Sequence, residues 1–209
     1  MKTLSLIILL LLGNVLYANP DTVCLIRTEP ILEKGSSGVG SGFFVKQYEV
    51  IPAFHVVKEA LEQNRRIRVE YQNRIYRASL LRWCRESDIA LLKVNSGDNV
   101  TLAIIAENEP EKNHILVNYG HAGGRWQIHS SKGPVFEFLN RLAVINRNGP
   151  VARFYTTKSV VHGGMSGGPV VNSDGHVVGL VSHKSTDNNN PLTYIASLPE
   201  LKRILNHNQ

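Results

Sequence analysis

Three short stretches of this chain carry side chains suited to acyl-transfer chemistry. Residues 162–171 read His-Gly-Gly-Met-Ser-Gly-Gly-Pro-Val-Val. Their serine, Ser166, has two glycines within the three positions before it and two directly after it. Glycine lets a backbone turn sharply and bring its N–H groups up to a ligand. A hydroxyl presented on such a turn, with amide donors beside it, suits attack on a carbonyl. A glycine-rich turn that merely contains a serine would look the same, so the other two stretches decide.

One is Val50-Ile51-Pro52-Ala53-Phe54-His55-Val56-Val57, an apolar run holding a single imidazole. The other is Glu86-Ser87-Asp88-Ile89-Ala90-Leu91-Leu92-Lys93-Val94, with Asp88 at the mouth of a strand-like run. An isolated histidine in an apolar run more often packs than catalyses, and an aspartate before a strand is commonly a turn residue. Together they give a base, an acid and a nucleophile in the chain order of chymotrypsin-type enzymes. A serine hydroxyl is a poor nucleophile at neutral pH and needs a positioned base. His55 would take its proton and later deliver it to a leaving amine, and Asp88 would fix the imidazole's tautomer.

Four blocks resemble the trypsin-like serine proteases and are most similar to the bacterial high-temperature-requirement (Deg) branch. They are Gly38-Val39-Gly40-Ser41-Gly42-Phe43-Phe44-Val45, Ala53-Phe54-His55-Val56-Val57, Asp88-Ile89-Ala90-Leu91-Leu92-Lys93-Val94, and Gly164-Met165-Ser166-Gly167-Gly168-Pro169-Val170-Val171 with the following Asp174-Gly175-His176-Val177-Val178-Gly179. The resemblance spans residues 36–205. It implies catalytic His55, Asp88 and Ser166, and an oxyanion hole formed by the Gly164 and Ser166 N–H groups. It also implies a primary pocket lined by Val160, Val161, Val181 and Ser182. No acid stands in those segments, so the expected preference before the cut is apolar rather than Arg or Lys. Met165 departs from the digestive branch, where an acid before the serine pairs with a newly cut N-terminus. A thioether cannot make that pair, so activity is expected without zymogen cleavage. The resemblance implies no cofactor and no metal, peptides or proteins as substrates, and a possible oligomer, since Deg relatives are commonly trimers.

The elements that must position these residues read mostly as β. Runs of Val, Ile, Leu, Tyr and Phe, punctuated by Gly, Asn, Pro and Asp, predict strands over residues 42–46, 67–71, 89–94, 114–119, 151–156, 169–172, 177–182 and 192–196. Helices are predicted over 56–64 and 199–206, the latter opening on Pro199. The expected fold is two antiparallel six-stranded β-barrels of the chymotrypsin type with a short C-terminal helix. The first barrel spans about 22–108 and the second about 112–198, which leaves no room for the peptide-binding (PDZ) module of many Deg relatives.

Composition fits one soluble enzyme domain, or two small lobes around a shared cleft, in a chain of 209 residues, 43% of them hydrophobic. Lys2, an apolar run over residues 4–12 and Ala18 follow the plan of a signal peptide over residues 1–18, with the mature chain starting at Asn19. The run is short for a membrane span of about 20 residues, so no stable span is expected after cleavage. Export would permit a bridge between Cys24 and Cys84, the only two cysteines. In the chain-entropy model it would stabilise by about 4 kcal/mol. The net charge of +6 is densest at Arg65, Arg66, Arg68, Arg74 and Arg77. Alternation with Ile67, Val69, Tyr71 and Ile75 marks that cluster as a solvated hairpin, and no nucleic-acid partner is expected.

Two other classes share part of this pattern. Gly164-Met165-Ser166-Gly167-Gly168 also satisfies the nucleophile-elbow pattern of α/β-hydrolase esterases. That fold places its acid and histidine after the serine, with a helix directly following. Here a Val-rich hairpin follows instead. The second class, a disabled peptide-binding descendant, is disfavoured by the completeness of the three-residue set.

Overall fold

Strands that are apolar on one face must bury it, and here twelve of them do so by closing into two barrels. The computed structural model describes residues 20–29, 38–96, 99–142, 151–185, 187 and 191–206. The leader-like residues 1–18 and Asn19 lie outside the described residues. The first barrel comprises β1 (Val23–Glu29), β2 (Gly38–Lys46), β3 (Glu49–Pro52), β4 (Arg66–Tyr71), β5 (Arg74–Cys84) and β6 (Ile89–Val94), with helix α1 (Phe54–Glu62) between β3 and β4. Its strand order is β1-β2-β3-β6-β5-β4, and β1 pairs with β4 to close the ring. The second comprises β7 (Ile115–Gly120), β8 (His129–Leu142), β9 (Val151–Thr157), β10 (Pro169–Val171), β11 (Val177–Lys184) and β12 (Thr193–Ser197). It closes in the order β10-β11-β12-β9-β8-β7. Every pairing is antiparallel within both sheets.

The last helix, α2 (Leu198–Asn206), follows β12 directly yet serves both barrels. Leu198, Leu201 and Ile204 recur every three residues, which puts them on one helical face, and all three are buried. Leu201 and Ile204 join the apolar cluster that fills the first barrel and continues into the second. Arg82 of β5 donates to the Ile204 carbonyl at 3.2 Å. The helix therefore straps the two halves together.

The eight predicted strands and both helices are present, with β6 at its expected ends and the others shifted. Helix α1 begins two residues earlier than predicted, so His55 lies in its first turn. Strand β5 is the second arm of the hairpin expected around Arg74 and Arg77, longer than the expected 73–80, and strands β1, β3 and β8 have no counterpart in the sequence reading. Strand β3 is four residues long and ends on a proline, and β8 opens on the polar run His-Ser-Ser-Lys.

The expected bridge between Cys24 and Cys84 is not formed; both thiols are free. β4 lies between β1 and β5 in the barrel. Two strand spacings come to about 10 Å, beyond the reach of about 7 Å for bridged Cα atoms. Cys24 is fully buried opposite Gly42, and burial pushes its thiol pKa up. Cys84 is partly exposed, donates to Glu86 at 3.4 Å and accepts from Arg203 at 3.0 Å. Thiol titration of the unfolded, unreduced protein should find two reactive groups per chain, and in the folded protein only Cys84 should react. Loss of both signals without reductant would restore the bridge.

Candidate active site

Asp88 sits in the tight turn before β6 with φ of 57°. That left-handed conformation is one that aspartate tolerates better than most residues. Its backbone carbonyl accepts the Phe54 N–H at 3.0 Å, so the acid turn is fastened to the start of α1. The carboxylate then takes two bonds from the next residue: His55 N–H to Oδ1 at 2.9 Å and His55 Nδ1 to Oδ2 at 2.8 Å. A carboxylate only accepts, so Nδ1 carries the proton and Nε2 is left with its lone pair free. Burial is the largest influence on this imidazole and pulls its pKa down. The hydrogen bond and charge of Asp88 together outweigh it, and the net value stands above the ordinary 6.5.

The second barrel supplies a further donor to the same carboxylate. The register of β11 against β12 shifts between Val181 and His183, a bulge at Ser182. Bulges re-aim a side chain, and here Ser182 Oγ donates to Asp88 Oδ2 at 2.5 Å. The Ser182 carbonyl accepts the Ser166 hydroxyl at 3.2 Å. Ser182 thus links Asp88 to Ser166, and His55, Asp88 and Ser166 meet around one residue. Among the described residues, Ser166 makes no hydrogen bond to His55.

Ser166 is held by its backbone. Its carbonyl accepts from Ser41 N–H of β2 at 2.7 Å, while Gly167 N–H donates to Val181 and Gly168 N–H to Met165 at 2.7 and 3.0 Å. Gly167 has φ of 87°, and a Cβ there would overlap the Ser41 carbonyl oxygen and lie 2.6 Å from Ala53 N. Only glycine lets the serine turn seat so closely against the first barrel. Among the described residues, the N–H groups of Gly164 and Ser166 have no protein acceptor.

A family model described as the trypsin-like peptidase domain matches residues 40–180. The chain belongs to that family.

Membership places this trypsin-like peptidase among the serine peptidases, enzymes that hydrolyse peptide bonds. No curated protein matches the chain. Its fold is similar to the Rv3671c protease from M. tuberculosis in the active form, at 20% identity over 89% of this chain and 80% of that one, with a TM-score of 0.78. It is also similar to Deg5, at 18% identity over 91% and 90% of the two chains and a TM-score of 0.73. No helix among the described residues is long and apolar enough to cross a membrane, and no cluster of His, Cys, Asp and Glu among them could hold a metal ion.

The residues expected to line a primary pocket differ in exposure. Val161 and Val181 pack with Met165 in the core of the second barrel, whereas Val160 is 56% exposed. Ser182, grouped with them by resemblance, spends its hydroxyl on Asp88. Sequence reading also missed Ser41, whose buried hydroxyl donates to the Gly164 carbonyl at 2.7 Å and accepts from His121 N–H at 2.8 Å. Its signal was the Gly40-Ser41-Gly42 triplet, where flanking glycines leave room for another loop to approach.

The raised pKa of His55 has two consequences of opposite sign. Its contribution to stability is present below pH 6.5 and is lost as pH rises through the folded value. The proton-accepting form accumulates over that same interval. In Asp88→Asn, burial acts less opposed, so the NMR titration midpoint of His55 should fall; an unmoved midpoint would show that Asp88 does not tune it.

Proposed function

We propose that this trypsin-like peptidase is an exported serine endopeptidase working through an acyl-enzyme, with Ser166 as nucleophile, His55 as general base and acid, and Asp88 as the orienting carboxylate. The observation that supports this most is the Asp88 carboxylate, bonded at once to His55 and to the residue that touches Ser166. The Ser166 hydroxyl turns about χ1 from the Ser182 carbonyl to His55 Nε2 and gives up its proton as Oγ attacks the substrate carbonyl. The N–H groups of Gly164 and Ser166 then receive the oxyanion. His55 returns the proton to the leaving amine, and water repeats the sequence on the ester.

With Nδ1 already committed to Asp88, a single tautomer of His55 serves both proton transfers. Losing one oxyanion donor costs such enzymes about 10²–10³ in rate. Met165, buried beneath Ser166, fills with packing the place of an acid that would need an N-terminal partner, so removal of residues 1–18 suffices for activity.

Export follows from the leader-like residues 1–18. An apolar preference before the scissile bond is carried over from the resemblance: the segments Val160-Val161 and Leu180-Val181-Ser182 contain no acid to pair with an Arg or Lys side chain.

A fluorophosphonate probe should label Ser166 in the wild-type protein. Ser166→Ala and His55→Ala should each abolish peptide hydrolysis while the fold persists; near-native turnover by folded Ser166→Ala refutes the assignment. The rate should rise with pH through a midpoint above 6.5, set by His55. Across peptides varied only at the residue before the cut, small and medium apolar side chains should be preferred, and cleavage confined to Arg or Lys sites would reject that preference.

A further inference from the structure

We propose that Arg27 and Glu70, both in the first barrel, are positioning residues that aim the Gly164 N–H into the catalytic cleft. This rests on the peptidase reading above. Among the described residues every peptide bond is trans, so the Gly163 carbonyl and the Gly164 N–H point in opposite directions. Whatever holds one fixes the other.

The Gly163 carbonyl is held by the N–H of Gly123, at 2.6 Å. The Gly164 carbonyl is held by Ser41 Oγ, so the peptide planes on both sides of Gly164 are pinned. Gly123 belongs to the turn that follows β7, and that turn packs directly on Gly164. A Cβ on Gly164 would overlap the His121 carbonyl oxygen and lie 2.8 Å from Gly124 N.

The turn itself is inherently loose. Gly123 and Gly124 have φ of 65° and 67°, consecutive left-handed glycines with many alternative conformations open to them. Its shape is supported from the first barrel: Ser41 accepts from His121 N–H, and Arg27 Nη2 donates to the Gly124 carbonyl at 3.0 Å. Arg27 is aimed in turn by Glu70, whose Oε1 lies 3.1 Å from its Nε and whose side chain is only 6% exposed. A guanidinium presents several donors in a fixed plane, so Glu70 on one edge orients the other edge toward Gly124. The connection runs from Glu70 through Arg27, Gly124, Gly123 and the Gly163 carbonyl to the Gly164 N–H.

Without Arg27 the glycine pair relaxes, the Gly163–Gly164 peptide can rotate, and the N–H leaves the cleft. Substrate still binds, but the negative charge that develops on attack loses a donor. The effect therefore falls on kcat and not on KM. An arginine that merely supported the fold would lower the fraction of active molecules and leave kcat per active site intact.

The test compares the wild type with Arg27→Met, Arg27→Lys, Glu70→Gln and the exposed control Arg66→Met. Each is counted by active-site titration, then assayed for kcat and KM on one peptide and for fluorophosphonate labelling rate. Arg27→Met should lose about 10- to 100-fold in kcat and labelling rate, part of the full effect of a lost oxyanion donor, with KM within about twofold. Glu70→Gln should show a smaller loss in the same direction. Arg27→Lys should recover part of the loss, which keeps the test decisive if Arg27→Met folds poorly. Arg66→Met should match the wild type. Unchanged kcat per site in all Arg27 and Glu70 variants, or an effect on KM alone, overturns the proposal while leaving the peptidase reading intact. Failure of the wild type to react with the probe overturns both.

Discussion

One carboxylate holds the candidate site together. Asp88 accepts the His55 backbone N–H, the His55 ring N–H and the Ser182 hydroxyl, two donors from the first barrel and one from the second. A partly buried anion is tolerated when its lone pairs are met by donors, and here three converge on two oxygens. The constraint is reciprocal. The acid turn cannot shift without dragging the start of α1, and the bulge at Ser182 cannot shift without uncovering the acid. Much of the surrounding geometry follows from satisfying this group.

In the proposed mechanism the two barrels divide the chemistry between them. The first would supply the acid and the base, on a turn and on the helix that follows β3. The second would supply the nucleophile, on a turn seated against Ser41 and Ala53 of the first. A residue with a Cβ at position 167 could not enter that seat, so the glycine after Ser166 is an inter-barrel contact as much as a turn-former. The Rv3671c protease and Deg5 share the fold at identities where chain topology persists after most side chains have changed.

Much of this was legible in the amino-acid order because the relevant signals are local. Ser166 among glycines, Asp88 before a run of aliphatic residues and the period of the last helix each announce themselves within ten residues. What stayed hidden depends on register. The bulge that turns Ser182 onto Asp88 arises from pairing between β11 and β12, which no local pattern reports. The two cysteines fail to meet because β4 separates their strands, a fact of barrel order rather than of sequence distance. The valines assigned to a pocket turned out to differ in exposure, since alternation along a strand tells inside from outside only once the partner strands are known.

The strap formed by α2 has a mechanical corollary. A hinge motion that swung one barrel away from the other would have to slide the helix off β5. That would break the bond from Arg82 to the Ile204 carbonyl and expose Leu201 and Ile204 to water. At about 1.5–3 kcal/mol for each aliphatic side chain, such gaping is rare at rest. A polypeptide entering the groove therefore meets a stiff frame, and adjustment to its shape falls to the loops.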